Sequence, residues 1–379
     1  MNMPVVQASP HTHEARRVSQ IMFLVICALI PATGFGIYEF GWPALNLLVL
    51  SIISALVCEA FSLWVAKKPV TPYLFDGSAI LTAWLLAMSL PPWAPWWIAV
   101  LGNAFAIIIG KQLFGGIGQN VFNPAMLARV VLLVSFPLEM TTWIAPHPLF
   151  SAAAPDFMQG LSITFLGIPN LDSVSSASVL GHIKTGFTQG HDVAQSLANF
   201  SYTPLALALG TVPGSMGEAS AVLVVLGGLL LLALRIITWH IPVSMIATVA
   251  VLSTLGHTLD PDHYLSPVYH MLSGGLMLGA FFIATDMVTS PSTPKGQVIF
   301  GVGCGVLDYV IRTWGGFPEG IGFAVMLMNA ATPLIDHYVR PRIYGRGKDG
   351  NPLSVEKAPV DQISIDKVSI EKPAQDVTT

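Results

Sequence analysis

Few side chains in this sequence combine the type and the setting needed for chemistry. Glu59, Arg129, Asp286 and Asp308 are ionisable and fall inside or beside long apolar runs; only Asp308 lies well inside its run. A charge in such a place is costly unless it is paired or hydrated. It therefore marks an ion path or a ligand site, or else a charge that snorkels or pairs across helices. Two helix-breaking stretches accompany these residues. "ATDMVTSPSTPKG", Ala284 to Gly296, sets a carboxylate, several hydroxyls, two prolines and a glycine between two apolar runs. "GGIGQNVFNP", Gly115 to Pro124, sets glycines and the amides Asn120 and Asn123 before a third run. The cysteines, Cys27, Cys58 and Cys304, stand singly with no CxxC pattern, so no zinc or iron–sulfur site made by this chain alone is expected.

The elements that must position these residues are membrane helices. The chain is 53% hydrophobic and 10% charged, against about 25% charged in soluble domains, and its mean hydropathy is +0.66. No Lys or Arg occurs between Arg17 and Lys67 or between Lys68 and Lys111, and each gap has room for two spans. The few, scattered basic residues give no footprint for nucleic acid. Ten apolar segments are expected, at about 18–38, 42–66, 77–90, 94–113, 124–144, 219–237, 240–257, 270–287, 297–314 and 318–340. The first follows Arg16-Arg17 but is too long for a signal-peptide core and lacks a cleavage pattern, so it counts as a span. With the N-terminus cytoplasmic, Lys67, Lys68, Lys111, Arg235, Lys295 and Arg340 fall inside, and little beyond Lys184 and Arg312 falls outside. Both termini are thus expected to be cytoplasmic.

The expected organisation is a cytoplasmic segment 1–17, a first transmembrane half 18–144, an outer loop 145–218, a second half 219–340 and a polar, unstructured tail 341–379. An internal repeat relates the halves. "DGSAILTAWLLAMSLPP" followed by "LFGGIGQNVFNPAM" parallels "SGGLMLGAFFIATDMVTSPSTP" followed by "TWGGFPEGIGFAVMLMNAATPLI". Pro91 and Pro291, like Gly115 and Gly315, are 200 positions apart, and Asn123-Pro124 corresponds loosely to Asn329 and Pro333. The third span matches the eighth, five spans later, so the halves are expected to face opposite ways as two inverted five-helix repeats. Paired breaks in such halves point to a ligand site. The residues leave two classes open: a secondary transporter, or a cofactor-carrying subunit of a membrane redox complex.

"DGSAILTAWLLAMSLPPWAPWW", "GKQLFGGIGQNVFNPAMLARV" and "SGGLMLGAFFIATDMVTSPSTPKGQVIFGVGCG" together resemble the RnfD/NqrB family. These are membrane subunits of the Rnf complex and of the sodium-pumping NADH:quinone oxidoreductase. The similarity runs to about Tyr344, and the chain length favours the RnfD branch over an NqrB-like quinone-reducing subunit. The resemblance implies a multi-pass protein of the bacterial inner membrane, in a complex with the A, B, C, E and G subunits. It implies exchange of electrons with a periplasmic flavoprotein subunit and coupling of ferredoxin (or flavodoxin):NAD electron transfer to Na+ or H+ movement. It also implies FMN joined by a phosphoester to a threonine on the outer side, and a second, noncovalent flavin such as riboflavin is seen in the NqrB branch. The matching threonine is Thr203 in "NFSYTPLALALG", although Ser201-Tyr202 replaces the family's Gly-Ala. Pro204 should hold Thr203 extended. Gly118, Asn120, Asn123 and Arg129 are candidates to contact a flavin ring or phosphate. Asp308 is a candidate for ion coupling, with Asp286 second to it and better suited to shaping its loop.

Overall fold

The computed structural model describes residues 17–167, 175–176, 178–198, 203–317 and 319–341. Residues up to Val339 belong to one compact unit. Of the second unit, Arg340–Thr379, only 340 and 341 are described. The expected unstructured tail and residues 1–16 therefore lie outside the described residues.

Long apolar runs become long helices. Val18–Phe40, Trp42–Val65, Val70–Ser89 and His240–Leu259 are the helical stretches long and apolar enough to cross a membrane among the described residues. Trp42–Val65 leaves Val49, Ile53, Val57, Phe61 and Val65 exposed, and Pro294–Trp314 leaves Val298, Val302, Val306 and Val310 exposed. Steps of four residues place each set on one face. A contiguous apolar stripe of this kind marks a surface for lipid or a partner, not for water.

The opposite faces pack closely because small residues line them. A Cβ on Gly301 would lie 2.0 Å from Ser244 Oγ, and one on Gly305 would lie 2.8 Å from the Met245 carbonyl oxygen. This glycine pair, four residues apart, lets Pro294–Trp314 press against His240–Leu259. One core joins both halves: Leu29, Leu86, Met126, Phe282, Phe300 and Val325 belong to a single buried cluster.

Several expected spans are interrupted. The segment expected at 124–144 is a helix only over Pro124–Ser135 and restarts as Pro137–Thr141, because Pro137 has no N–H to continue the ladder. The segment expected at 270–287 is split between Pro267–Leu272 and a second piece, Leu276–Leu278 followed by π-helical Gly279–Ile283. Gly274, at φ +68°, turns the chain between the pieces. Ala221–Ala233 is 13 residues long, about 20 Å of helix. Such pieces fall short of the ~30 Å hydrocarbon core.

Trp143–Ile144 and Ser175–Ser176 form a two-residue antiparallel ladder, a minimal exception to the all-helical expectation. The stretch expected to be plain outer loop also holds the helices Phe157–Leu166, Val179–Thr188, Val193–Ala198 and Pro204–Leu209. Its last residues are not surface loop. Ser215, Met216 and Gly217 are buried, and the Gly217 N–H donates to the Met88 carbonyl at 2.7 Å.

The two proline breaks lie at opposite ends of the first helix. Trp93, beside Pro91-Pro92, donates its indole N–H to the Phe40 carbonyl at that helix's C-terminus. Pro291 and Ser292 share a cavity with Ile21, near its N-terminus.

Candidate functional site

Both helix-breaking stretches singled out in the sequence line one cavity. Asn123 caps Pro124–Ser135: its Oδ1 accepts from the N–H groups of Ala125 at 3.1 Å and Met126 at 3.3 Å. Pro124 occupies the first helical position, where a missing N–H costs nothing. Opposite it, Asp286 organises its own loop, accepting from the Val288 N–H and the Thr289 hydroxyl, each at 3.2 Å. Asn123 Nδ2 reaches Asp286 Oδ2 at 3.5 Å, joining the two stretches. Placed so that both its amide groups are satisfied, Asn329 accepts from the Asn123 N–H at 3.0 Å and donates to the Thr289 carbonyl at 3.3 Å.

The cavity bounded by these loops has an empty volume of about 820 Å³, and its walls are mainly apolar. Leu81, Leu85, Phe281 and Phe282 supply the apolar side; Lys111, Asn120, Asn123 and Asp286 supply the polar side. Lys111 belongs to the π-helical stretch Phe105–Gln112, and the two phenylalanines belong to the other π-helical stretch, Gly279–Ile283. Such stretches recur at functional sites because the wider turn re-aims side chains.

Lys111 is buried and held firmly. Its ammonium lies 2.8 Å from Glu59 Oε1 and donates to Ser78 Oγ at 2.7 Å. Gln112 donates to the same Glu59 oxygen at 2.6 Å, while Glu59 Oε2 has no hydrogen-bond partner. Asn120 is stiffened by a bond from its Nδ2 to the Phe122 carbonyl at 3.1 Å.

Other expected residues lie elsewhere. Gly118 does not line the cavity; its neighbour Ile117 does. Gly118 is at φ +87° with open space around its missing Cβ, so glycine there serves the backbone turn and no close contact. Arg129 does not line the cavity and forms a buried ion pair with Glu319. Asp308 is fully buried beside Arg312, whose Nε is 3.0 Å from Asp308 Oδ2. Arg312 also donates to the His270 carbonyl at 2.8 Å, tying the pair to the Pro267–Leu272 helix.

Thr203 begins the Pro204–Leu209 helix. Its backbone is extended (φ −76°, ψ 148°), as the following proline requires, and its Oγ1 accepts the Ala206 N–H at 3.2 Å. The residue is exposed. The altered Ser201-Tyr202 lies outside the described residues.

Lys184, on the stretch expected to be an outer loop, donates to the carbonyls of Ile311 (3.1 Å), Gly315 (2.6 Å) and Phe317 (2.5 Å). It thereby satisfies the open carbonyl end of Pro294–Trp314. Burial, and secondly the nearby Arg312 charge, lower its pKa to about 8.

Sequence reasoning passed over Lys111, Ser78, Phe281 and Phe282 as site residues, and over Glu218 and Glu319 as a pair. Lys111 carried one usable signal: it is a basic residue at the end of an apolar run, immediately before the glycine-rich turn.

The model of the NQR2, RnfD, RnfE family matches residues 5–345. The D subunit of the ion-translocating oxidoreductase complex of Halorhodospira halophila is 50% identical over 355 residues, covering 94% of this chain and 99% of that protein. The protein of the same name from Stutzerimonas stutzeri is 54% identical over 352 residues, 93% of this chain and 99% of its own. That from Rhodobacter capsulatus is 52% identical over 311 residues, 82% of this chain and 86% of its own.

Proposed function

We propose, because the chain belongs to the NQR2, RnfD, RnfE family, that it is the flavin-carrying membrane subunit of an Rnf-type ion-translocating oxidoreductase complex. In that complex, electron transfer between NADH and ferredoxin or flavodoxin drives Na+ or H+ across the bacterial inner membrane. Its partners are the complex's A, B, C, E and G subunits, above all the periplasmic flavoprotein. Its ten membrane segments form two inverted halves with both termini cytoplasmic, the arrangement suggested by the two proline breaks at opposite ends of the first helix.

The observation that carries the flavin reading is the cavity between the two broken stretches. Its lining is mainly apolar with a few convergent polar groups, the composition of small-molecule sites. Apolar walls with two phenylalanines suit a flat ring, and a few fixed polar groups suit its carbonyl and nitrogen edge. A bound flavin supplies electron transfer there. The chain's own residues do the rest. Phe281 and Phe282 pack against the ring and exclude water. Asn120 and Asn123 would border its polar edge, and the Lys111 ammonium, its charge balanced by Glu59, would offer a fixed N–H donor beside Ser78.

Thr203 fits the covalent FMN. Its hydroxyl stands on exposed, extended backbone, and its oxygen only accepts a hydrogen bond in the helix cap. The O–H is thus free to be replaced by a phosphoester while the cap survives. Asp308 is the carboxylate assigned to ion coupling, and Asp286 serves mainly to shape its loop.

The test uses the complete complex from a host with the flavin transferase. Mass spectrometry of the peptide Asn199–Leu209 should show the FMN ester on Thr203, and the denatured subunit should fluoresce in a gel. Thr203→Val should abolish both signals. An unmodified wild-type peptide refutes covalent attachment, and a complex with no flavin assignable to this subunit refutes the carrier role.

A further inference from the structure

Two carboxylates lie together at a place the flavin reading does not use. Glu218, half-buried, follows the buried residues 215–217 of the turn that leads to Ala221–Ala233, and Glu319, buried, precedes Ile321–Tyr338. The turn is fixed in place. Gly217 donates to the Met88 carbonyl, and a Cβ at Gly217 would lie 2.9 Å from that same oxygen, so no larger residue fits. Ser215 Oγ donates to Glu218 Oε1 at 2.6 Å. The Glu218 and Glu319 carboxyl groups are within hydrogen-bonding reach of each other.

Arg129 pairs with Glu319 Oε2 and neutralises one charge. The other oxygen, Glu319 Oε1, is buried without a hydrogen-bond partner in a residue only 6% exposed. Two adjoining carboxylates beside one guanidinium leave a net charge of minus one, and an orphaned buried acceptor is costly. Both faults are removed by one bound proton, which supplies the missing donor and the missing positive charge.

We propose that Glu218 and Glu319 jointly hold one exchangeable proton. The pair borders two small cavities with empty volumes of about 280 Å³ and 230 Å³. The first is walled partly by the outer stretch, at Ser178, Leu180 and Val212; the second lies among the helices, at Ser89, Met126 and Leu278. The pair thus lies between a small gap toward that stretch and another among the helices. Arg129, Glu218 and Glu319 are the only charged side chains lining either cavity among the described residues, and the Asp308–Arg312 pair is the next charge beyond Glu319. Burial, then the adjacent Glu319 charge, raise the pKa of Glu218 to about 8. The proton is therefore retained at neutral pH and released in mild alkali. This site is independent of whether Thr203 carries flavin.

The test is infrared difference spectroscopy of the purified complete complex between about pH 6 and about pH 10, a window on either side of that pKa and well above an ordinary carboxylic acid. Wild type should lose one protonated-carboxylic C=O band as the pH rises. Glu218→Gln should lack that band at every pH, and Glu218→Asp, which keeps an acid in a shorter side chain, should shift it. The Asp variant decides the matter if the Gln variant does not assemble. A wild-type spectrum without the titrating band, or a band unchanged by both substitutions, overturns the proposal. So does displacement of the band by NaCl but not by choline chloride at fixed pH, since the site would then be a sodium site. Gel fluorescence of the same samples reads the flavin assignment separately.

Discussion

Lys111→Met puts the candidate cavity to its most direct energetic test. The Lys111 and Glu59 side chains are 4% and 1% exposed, with 2.8 Å between ammonium and carboxylate. Removing the ammonium leaves Glu59 charged, buried and held only by Gln112, its other oxygen already without a partner. Loss of one member of a buried pair costs about 3–5 kcal/mol, most of it from the stranded charge, whereas a hydrated surface pair is worth about 0–1 kcal/mol. The double variant Lys111→Met, Glu59→Gln removes the stranded charge and should recover most of the loss. Cys304 offers the readout: it is completely buried, so a thiol reagent reaches it only after the structure opens. Cys27 and Cys58 are replaced by serine to silence them. With opening and closing fast relative to labelling, the rate reports the open population. Lys111→Met should then label roughly 10²- to 10⁴-fold faster, since each 1.4 kcal/mol is a factor of ten, and the double variant should return most of the way. Acceleration below about tenfold, or a double variant no slower to label than the single, refutes the view that this pair is dry and mutually required.

Three further outcomes are expected. Thr203→Ser should keep both the helix cap and a phosphoester acceptor, whereas Thr203→Val should lose the flavin and about 1 kcal/mol of local helix stability, read by hydrogen exchange at Ala206. Asp308→Asn strands the fully buried Arg312; it should abolish ion-coupled electron transfer and cost about 3–5 kcal/mol, and a folded variant with normal coupling removes Asp308 from that role. Lys184 titrates at about 8 in the folded protein against 10.5 ordinarily, so the unfolded chain binds more protons between those values. Stability should therefore rise with pH across that window, and a parallel rise in Lys184→Met, by thermal unfolding, refutes the assignment.

What could be read from the sequence depended on how far apart the partners lie in the chain. Asp308 and Arg312 are four residues apart on one helix, so their pairing follows from helical spacing. Likewise Thr203 had to be extended before Pro204, and Asn123-Pro124 had to start a helix. Arg129 and Glu319 are 190 positions apart, and nothing local to either residue announces the other. Arg129 consequently stood as a candidate flavin contact on type alone, while its charge is committed to Glu319. The interrupted spans were missed for a related reason. Hydropathy measures the apolar character of a window, and "MLSGGLML" or "LLVSFPLEM" stays apolar through a turn or proline that ends the helix.

The proposed inverted arrangement would account for why the site could be located only in part. Equivalent segments of an inverted pair face opposite sides of the membrane. "SLPP" and "TSPSTP", equivalents in sequence, lie at opposite ends of the first helix and do not share a site. A cavity on one side must join a break from one half with a different, non-equivalent segment from the other. That is the arrangement around Asn123 and Asp286: the turn "GGIGQNVFNP" of the first half meets "TDMVTSPSTP" of the second. Asn329, matched to Asn123 in sequence, comes into contact with it in space. Of the carboxylates conspicuous in the apolar sequence, Asp286 lines the cavity and Glu59 holds its Lys111, whereas Asp308 lies away from it, paired with Arg312 on its own helix. Glu59, Asp308 and Glu319 are the carboxylates with a buried oxygen lacking a hydrogen-bond partner among the described residues, and of these Glu59 adjoins the cavity residue Lys111 and Glu319 the Glu218 turn.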